Sequence, residues 1–374
     1  MIGDATSASA TEPSMGVQKF AADDVVATRA EAAGNVRPPL LIIEPLTEFL
    51  DAHGIGAGPM RLTRIGEGAS NVTCLVERDG LRAVLRRPPR GPLPPSAHDV
   101  LREVTVLHGL AGRARVPRVL TVCADEAVLG APFYVMEHVA GAVLTTDIPA
   151  ELDNETQRRA LGNELLDTLA EIHAVDWIAA GLEGYGKPTG YLARQVRRFN
   201  GLWEHNATRE VPAVQRVAQW LGAHLPESGP GTVVHGDFRL GNAMAAPAAP
   251  GRIVTVFDWE MSTIGDPLAD LGYLCEMWCD PADDGPRPLE LSPVTRRPGF
   301  PRREELGELY AERTGRSVAN LRWYRVLAAW KAAVFMEGNY RRAVSGSTDD
   351  PYLAAFGENV VALADLAEAL SRGV

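Results

Sequence analysis

The hydrophobic positions of this chain follow two different periods, and the change between them divides the sequence. Between residues 60 and 139, short runs alternate apolar with polar or small residues, as at Val72, Cys74 and Val76. Such alternation is typical of half-buried β-strands. From residue 141 onward the apolar spacing is mostly helical, and one stripe within residues 155–175 contains Leu161, Leu165, Leu169 and Ile172. The pattern predicts a strand-rich part followed by a larger helical part.

These elements predict an α+β fold with two lobes. We expect a small antiparallel β-rich lobe over residues 39–138 and a larger, mainly helical lobe over residues 139–374. Residues 1–38 lack a clear period and run into a proline pair, so we expect a mobile N-terminal arm with one short helix. The proline-rich residues 281–301 are expected to form an excursion on the surface.

Composition and charge narrow the classes of protein. The chain has 374 residues, of which 46% are hydrophobic and 23% are charged, which excludes a wholly disordered chain. The formal net charge is −11, and an acidic surface repels nucleic-acid backbones. No apolar run reaches the roughly 18–20 residues that span a bilayer, and no secretory pattern is visible. Four cysteines without metal-ligand spacing fit a reducing compartment. We therefore expect a cytoplasmic monomer or homodimer with no nucleic-acid or membrane partner.

One stretch of the helical part carries the clearest chemistry. Its sequence, His235-Gly-Asp237-Phe-Arg-Leu-Gly-Asn242, is followed by an apolar strand that ends at Asp258. Two strands that end near each other can bring both carboxylates and the amide together at the mouth of a hairpin. A carboxylate can activate a hydroxyl group, and carboxylate and amide oxygens suit Mg²⁺. Taken singly, these residues could also cap turns.

The same stretch resembles the aminoglycoside phosphotransferase and choline kinase-like family, which is related to the protein kinases. The family pattern is H-G-D-x-x-x-x-N, followed by a hydrophobic strand that ends in Asp-Trp or Asp-Phe, and residues 235–242 and 256–259 fit it. The run Leu-Arg-Arg-Pro-Pro at residues 85–89 is similar to the subgroup associated with acyl-CoA dehydrogenases. The resemblance extends from about residue 60 to 345. It implies a protein-kinase-like fold, the cofactors ATP and Mg²⁺, and phosphorylation of a small-molecule hydroxyl acceptor.

Roles follow from the resemblance residue by residue. Asp237 would orient the acceptor hydroxyl and take its proton, and His235 would support this catalytic loop rather than do chemistry. Asn242 and Asp258 would hold Mg²⁺ against the nucleotide phosphates. Asp270, at the start of a later helix, would anchor the amides of the loop.

In the first lobe, Arg86 stands where kinases have the lysine of their V-A-I-K strand. The next helix offers Glu103 as its partner. Arginine is always charged and can contact phosphate, although its longer fork changes the geometry. The alternatives are a surface ion pair and, because the lysine is replaced, a nucleotide-binding pseudokinase or regulatory module.

Two further segments are expected near the nucleotide. The loop over residues 66–71 would cover phosphates through Ser70, Asn71 and backbone amides, unless it is a plain β-turn. A strand that runs into Gly141 resembles the linker between kinase lobes. Backbone groups near Glu137 and Val139 would meet the adenine edge there.

Two clusters of charged residues in the sequence could bind the acceptor molecule, and they have opposite charge. A basic cluster would attract a hydroxy acid or a hydroxyacyl-CoA, although it could be a solvated helix face; its members are Lys187, Arg194, Arg197 and Arg198. A group of acidic residues would instead suit a polycationic aminoglycoside, unless it is only surface charge; its members are Glu276, Asp280, Asp283 and Asp284. We favour the anionic acceptor.

Overall fold

The structure, a computed structural model, describes residues 17–66, 71–91, 98–346, 353 and 356–373. The strands within these ranges are β1 (Val17–Gln18), β2 (Val25–Val26), β3 (Leu41–Ile42), β4 (Ala57–Ile65), β5 (Val72–Asp79), β6 (Leu81–Arg87), β7 (Val119–Cys123), β8 (Phe133–Glu137), β9 (Ala142–Val143), β10 (Thr232–Val234), β11 (Ala243–Ala245), β12 (Ile253–Val256) and β13 (Thr263–Gly265).

The helices of the same ranges lie mainly in the second part of the chain. They are α1 (Arg29–Gly34), α2 (Ile43–Ala52), α3 (Val100–Leu110), α4 (Glu126–Leu129), α5 (Glu155–Ala174), α6 (Tyr191–Asn206), α7 (Pro212–Ala223), α8 (Leu268–Met277), α9 (Arg303–Thr314), α10 (Leu321–Val344) and α11 (Phe356–Arg372). Short 3₁₀ helices cover Leu240–Asn242, Trp259–Met261 and Pro293–Arg296.

The first lobe is built on a six-stranded antiparallel sheet in the order β1-β4-β5-β6-β8-β7. Because side chains alternate across a strand, β5 and β6 bury residues on both faces. Cys74 and Val76 pack on the side of α2, whereas Leu75 packs on the side of α3. The sheet therefore lies between two helices, and the predicted α+β class with a small antiparallel lobe and a larger helical lobe is confirmed.

Residues 17–38 pack against this lobe instead of forming a separate arm. The backbone of β1 pairs with the end of β4, and the buried Asp24 forms an ion pair with Arg90 at 2.5 Å. The strand pairing spans two residues, too few to leave a visible period in the sequence. The arm predicted for residues 1–16 lies outside the described residues.

The helical lobe surrounds two short antiparallel ladders, β10-β13 and β9-β11-β12, whose ends carry the candidate site. Helix α5 packs on these ladders and α9 packs against α5 and α8, while α10 packs against α6, α7, α8 and α11. Residues 281–301 are a surface excursion only at their start: residues 281–286 are exposed apart from Asp283, whereas Val294 and Thr295 are buried and Arg303 binds Asp283 at 2.7 Å. Within the described ranges, no helix is long and apolar enough to cross a membrane.

Candidate active site

The loop that follows β10 is held by the imidazole of His235. This side chain is fully buried; its Nε2 donates to the carbonyl of Phe257 at 3.0 Å, and its Nδ1 accepts from the amide of Asp237 at 3.2 Å. Both ring nitrogens are therefore used, in the neutral tautomer that carries its proton on Nε2. His235 therefore joins the loop to the strand that leads to Asp258.

Asp270, near the start of α8, anchors the same loop from below. Its carboxylate accepts from the amides of His235 and Gly236, at 2.7 and 2.8 Å. Burial alone would raise the pKa of Asp270, but the hydrogen bond and charge of His173 and the hydrogen bond from the Gly236 amide outweigh it and lower that pKa. Gly236 has φ of +88° and lies close to the backbone of Met261, so the turn has no room for a side chain.

Asp237 lies at the end of this supported loop. Asn242 donates through Nδ2 to the Asp237 carbonyl at 2.8 Å and to its Oδ2 at 2.7 Å. The other carboxylate oxygen, Oδ1, is buried and lies 3.6 Å from Nε of Arg239; in the part of the chain that the structure describes, neither atom has a hydrogen-bond partner. Such a pair of unsatisfied buried atoms is costly unless a further polar group joins it. The loop therefore offers one acceptor and one donor to a ligand.

Asp258 follows β12 and is linked to both lobes. It adopts a left-handed backbone conformation, with φ of +68°, which Asp tolerates better than most residues. Its Oδ1 accepts from Nη2 of Arg86 at 2.5 Å. The preceding residue, Phe257, donates its amide to the carbonyl of Asn242 at 3.0 Å. The two loops that carry the predicted metal ligands are thus joined directly.

Arg86 and Glu103 form the ion pair that their positions predict. Nε of Arg86 donates to Oε2 of Glu103 at 2.9 Å, and Oε1 of Glu103 accepts from the amide of Trp259 at 3.2 Å. Burial by itself would lower the pKa of Arg86, but the charges of Glu103 and Asp258 outweigh it and raise that pKa. Since Glu103 is only 2% exposed, this pair is not a solvated surface contact. One guanidinium connects the sheet, α3 and the loop at Asp258.

Asn71 forms a second link between the lobes. Its Nδ2 donates to Oε2 of Glu260 at 3.2 Å, while its Oδ1 is buried and has no hydrogen-bond partner among the described residues. Glu260 in turn lies 3.9 Å from Arg86. Asn71 therefore binds the second lobe with one end and leaves the other available to a ligand. Ser70, predicted to cover phosphates, lies outside the described residues.

The segment that joins the two lobes, around residues 137–141, has backbone groups that could contact a nucleotide. The amide of Glu137 is used, because it donates to the carbonyl of Arg118 at 2.9 Å, and the Glu137 carboxylate accepts from the Arg118 amide. In the described part of the chain, the amide of Val139 makes no backbone hydrogen bond. The Val139 amide is therefore the better candidate for contact with an adenine edge.

The basic cluster expected to bind an acceptor is only partly available. Arg194 is used inside the fold, since it donates to the carbonyls of Lys187 and Thr189 and closes the loop before α6. Arg197 and Arg198 remain exposed on that helix.

The sequence pattern did not single out three residues that the structure brings to the site. They are Arg239, Glu260 and Tyr273. Tyr273, on α8, lies beside Asp237; burial raises its pKa well above the ordinary value, and the charge of Asp237 acts in the same direction. Arg239 and Glu260 lie inside the two motifs, so their position next to the ligand candidates was the available signal. Tyr273 had none, because its partner lies on another element.

The residues present fit a nucleotide with Mg²⁺. Asn242 and Asp258 supply one amide and one carboxylate, and Mg²⁺ commonly takes few protein ligands and completes its shell with phosphate oxygens and water. In the ranges that the structure describes, no group of three or more His, Cys, Asp or Glu side chains is arranged to hold a metal by itself. Three polar atoms on these loops or next to them also lack a hydrogen-bond partner among the described residues, namely Asp237 Oδ1, Arg239 Nε and Asn71 Oδ1.

Three features together define a kinase-like phosphotransferase. They are the two lobes, the loop with His-Gly-Asp at residues 235–237, and the guanidinium of Arg86, which binds both Glu103 and Asp258. The profile described as the phosphotransferase enzyme family matches residues 61–306. The chain therefore belongs to this phosphotransferase enzyme family.

Similar proteins agree with this assignment. Mouse acyl-CoA dehydrogenase family member 10 is 33% identical over 328 residues, which cover 86% of this chain but 30% of the mouse protein. A solved structure from Ralstonia eutropha JMP134, provisionally named an aminoglycoside phosphotransferase, is 30% identical with a TM-score of 0.75 and covers 88% of this chain and 98% of its own.

A more distant structure, the GDP and kanamycin complex of APH(2″)-IIIa, is 17% identical with a TM-score of 0.59 and covers 88% of this chain and 98% of its own. At this identity the likeness shows the fold alone, and it confirms the expected kinase-like architecture. The chain spans less than half the length of the acyl-CoA dehydrogenase family members that it matches.

Proposed function

We propose that this chain is an ATP- and Mg²⁺-dependent phosphotransferase that phosphorylates a hydroxyl group of a small anionic molecule, either a hydroxy acid or a hydroxyacyl-CoA. The observation that carries the proposal is the bridge from Glu103 through Arg86 to Asp258. It brings the cation of the first lobe to the carboxylate of the second, next to Asp237 and Asn242. A regulatory module that has lost catalysis would be expected to lack at least one of these groups.

The roles of the residues follow from their contacts. Asp237 accepts the proton of the acceptor hydroxyl through Oδ1, the oxygen without a partner, while Asn242 fixes its other oxygen. Asn242 and Asp258 are the candidate ligands of Mg²⁺. The bound nucleotide would supply the phosphoryl group, and the metal would offset the negative charge of the phosphates. The GDP complex of a distant relative supports nucleotide use by this fold.

On the phosphate side, two cations are available to the nucleotide. Arg86 is placed by Glu103, and Arg239 offers the unpartnered Nε beside Asp237. Guanidinium groups suit phosphate oxygens because their donors form a planar fork. We propose phosphate contacts for both, with the Val139 amide at the adenine edge.

Three of the four acidic residues that would suit an aminoglycoside are already bound within the fold, and the fourth, Asp284, is exposed. Glu276 is bound by Arg287 and Arg325, and Asp283 is bound by Arg303. Asp280 accepts from the backbone of Arg303 at 2.6 Å. These carboxylates hold the fold together, which supports an anionic acceptor over a polycationic one. The name of the mouse relative points to an acyl compound as well.

Partners, location and oligomeric state are the remaining parts of the proposal. The acidic net charge of −11 supports the absence of a nucleic-acid partner. A cytoplasmic location without a membrane partner, and a monomeric or homodimeric state, stay predictions. Size-exclusion chromatography with light scattering measures the last of these.

The proposal is tested by ADP release with Mg²⁺-ATP and separate pools of hydroxy acids, their CoA thioesters, aminoglycosides and choline-like alcohols. Asp237→Asn is the informative variant, because an Asn oxygen can still accept from Asn242 while the base is lost. We expect turnover with a hydroxy-acid or thioester pool, and a loss of about 10²–10⁴-fold in the variant. Asp365→Asn, on the exposed side of α11, is the matched control. Turnover that survives Asp237→Asn would contradict the assignment.

A further inference from the structure

Lys331, in the middle of α10, is a cation without an ionic partner. Its Nζ lies 4.7 Å from the ring centre of Phe199, and it makes no hydrogen bond or ion pair with any residue that the structure describes. The side chain is partly buried. An ammonium group withdrawn from water and left unpaired is costly, so such a residue is retained where a ligand can pair with it.

The amino group of Lys331 borders a small cavity beneath the catalytic loop. The cavity has a volume of about 10 Å³ and is lined by Gly236, Asp270, Tyr191, Tyr273, Tyr324 and Lys331, among others. This volume is roughly that taken by one water molecule. It admits one oxygen atom rather than a whole acceptor. Because Gly236 precedes Asp237, an oxygen held here belongs to a molecule that can present a hydroxyl to the Asp237 carboxylate.

The surrounding charges leave the lysine protonated near neutral pH. Burial lowers its pKa to about 8; Arg198 acts in the same direction, whereas Asp270 and Asp237 oppose it. The other ionisable groups that line the cavity are the carboxylate of Asp270, which already accepts from the loop amides, and three phenols whose pKa values are raised by burial, so that they stay neutral; the phenols are those of Tyr191, Tyr273 and Tyr324. Lys331 is the one positively charged residue among the described residues that line the cavity.

The composition of the chain supports a role for this residue. Only three of the 37 Lys and Arg residues are lysine, namely Lys19, Lys187 and Lys331. A chain that uses arginine almost everywhere has a lysine as the cation that lines the cavity. An ammonium group is compact and fits a single oxygen, whereas a guanidinium fork requires more room.

On the basis of the proposed function, we infer that Lys331 binds the acyl oxygen of the acceptor, and so selects hydroxyl compounds that carry a carboxylate or a thioester carbonyl. The oxygen occupies the cavity between Lys331 and the Tyr273 side. The hydroxyl of the same molecule then reaches Asp237. Lys331 is a specificity-determining residue in this arrangement, and the nucleotide side does not depend on it.

The kinetic test compares three matched acceptors: short-chain hydroxy acids such as 3-hydroxybutyrate, their CoA thioesters, and the diols that lack the acyl oxygen. For Lys331→Met we expect kcat/KM to fall by about 10- to 100-fold with the acyl acceptor that the wild type uses, because a charge-assisted hydrogen bond is lost. The diols should be unaffected, nucleotide affinity should be unchanged, and Lys331→Arg should not restore the activity. Lys19→Met, at an exposed lysine, is the control. An equal loss with diols and acyl acceptors would overturn the inference.

A second readout does not require turnover. Reductive ¹³C-methylation labels only three lysines and the N-terminal amine, so the Lys331 signal is assigned by its absence in Lys331→Arg. With a non-hydrolysable ATP analogue bound, the hydroxy acid or the thioester should shift this signal and raise its pKa, and the diol should not. A signal that ignores both acyl compounds overturns the inference even if phosphorylation occurs. A response without phosphorylation of any acceptor keeps the inference and contradicts the proposed function instead.

Discussion

The two sides of Asp237 are built in different ways. On the nucleotide side, charges are paired across the lobes: Arg86 binds Glu103 and Asp258, and Asn71 binds Glu260. On the acceptor side, Lys331 has a cavity and an aromatic ring for neighbours, and no carboxylate among the described residues forms an ion pair with it. The nucleotide-side groups, Arg86 and Asp258, are held in place by ion pairs within the protein. Lys331, the group that we propose selects the acceptor, has no such ion pair and can form one with the acceptor. Preorganisation on one side and an open charge on the other is the division expected of an enzyme family that shares a reaction and differs in substrate.

The largest effect is expected where the nucleotide side is broken. Arg86→Met leaves the carboxylate of Glu103 buried and without its cation, which should cost about 3–5 kcal/mol of folding free energy. Adding Glu103→Gln should recover most of this stability but none of the activity. Urea denaturation and ADP release on the two variants test both statements. A single variant as stable as the wild type would show that the bridge does not join the lobes.

Asp258→Asn should keep the fold and lose the chemistry. The amide can still accept from Arg86, but the negative charge needed to hold Mg²⁺ is gone. We expect kcat to fall by about 10²–10³-fold, with the dependence on Mg²⁺ concentration moved to higher values. Titration of activity against Mg²⁺ measures this, with Asp365→Asn as the control. An unchanged Mg²⁺ dependence would remove Asp258 from the candidate ligands.

Asn71→Ala should have a smaller effect on the stability of the nucleotide side. It removes the hydrogen bond to Glu260, which joins the lobes at a partly buried position, and should cost about 0.5–1.5 kcal/mol of stability. Nucleotide affinity should fall in parallel, since the free Oδ1 faces the same region. Thermal denaturation with and without a nucleotide analogue separates the two effects. Glu260→Gln should reproduce part of the loss in stability.

The smallest expected effect is on the acceptor side, where replacing Lys331 should make the fold more stable rather than less stable. The pKa of Lys331 falls from 10.5 to about 8 on folding, so the unfolded chain binds the proton more tightly. The charged lysine therefore destabilises the fold below pH 8, and this penalty disappears as the pH rises toward 10.5. At pH 7, Lys331→Met should be more stable than the wild type by about 0.5 kcal/mol, a fraction of what the whole pKa shift would give, because water screens the partly exposed side chain.

Urea midpoints of the wild type and Lys331→Met, measured between pH 7 and 10, test this sign. The difference in stability should shrink as the pH rises. A variant that is less stable at pH 7 would indicate that Lys331 is a structural cation, and the comparison between the two sides would fail.

The sequence predicted the residues that are close to each other along the chain. Asp237, Asn242 and Asp258 lie in two neighbouring motifs, and the hairpin at residues 79–80 sets the strand on which Arg86 faces α3. Local spacing and the regular geometry of strands and helices were sufficient there.

The remaining features depend on contacts between distant elements. Asn71 and Glu260 are 189 positions apart, and no pattern in either segment indicates the other. Arg194 was expected to be a free cation, but a helix start that lacks a side-chain cap uses it to hold the loop before α6. Lys331 had no motif of its own, and its cavity exists only because α8 and α10 pack beneath the catalytic loop.

The central claim is that phosphoryl transfer takes place at Asp237 and goes to a hydroxyl on an acyl compound. The most direct measurement is mass spectrometry of a mixed pool of hydroxy acids, thioesters, diols and aminoglycosides after incubation with Mg²⁺-ATP and the protein. We predict that an acyl compound gains the mass of one phosphoryl group with the wild type and with Asp365→Asn, but not with Asp237→Asn. A phosphorylated aminoglycoside or diol without any phosphorylated acyl compound, or an acyl product that persists in Asp237→Asn, would contradict the account.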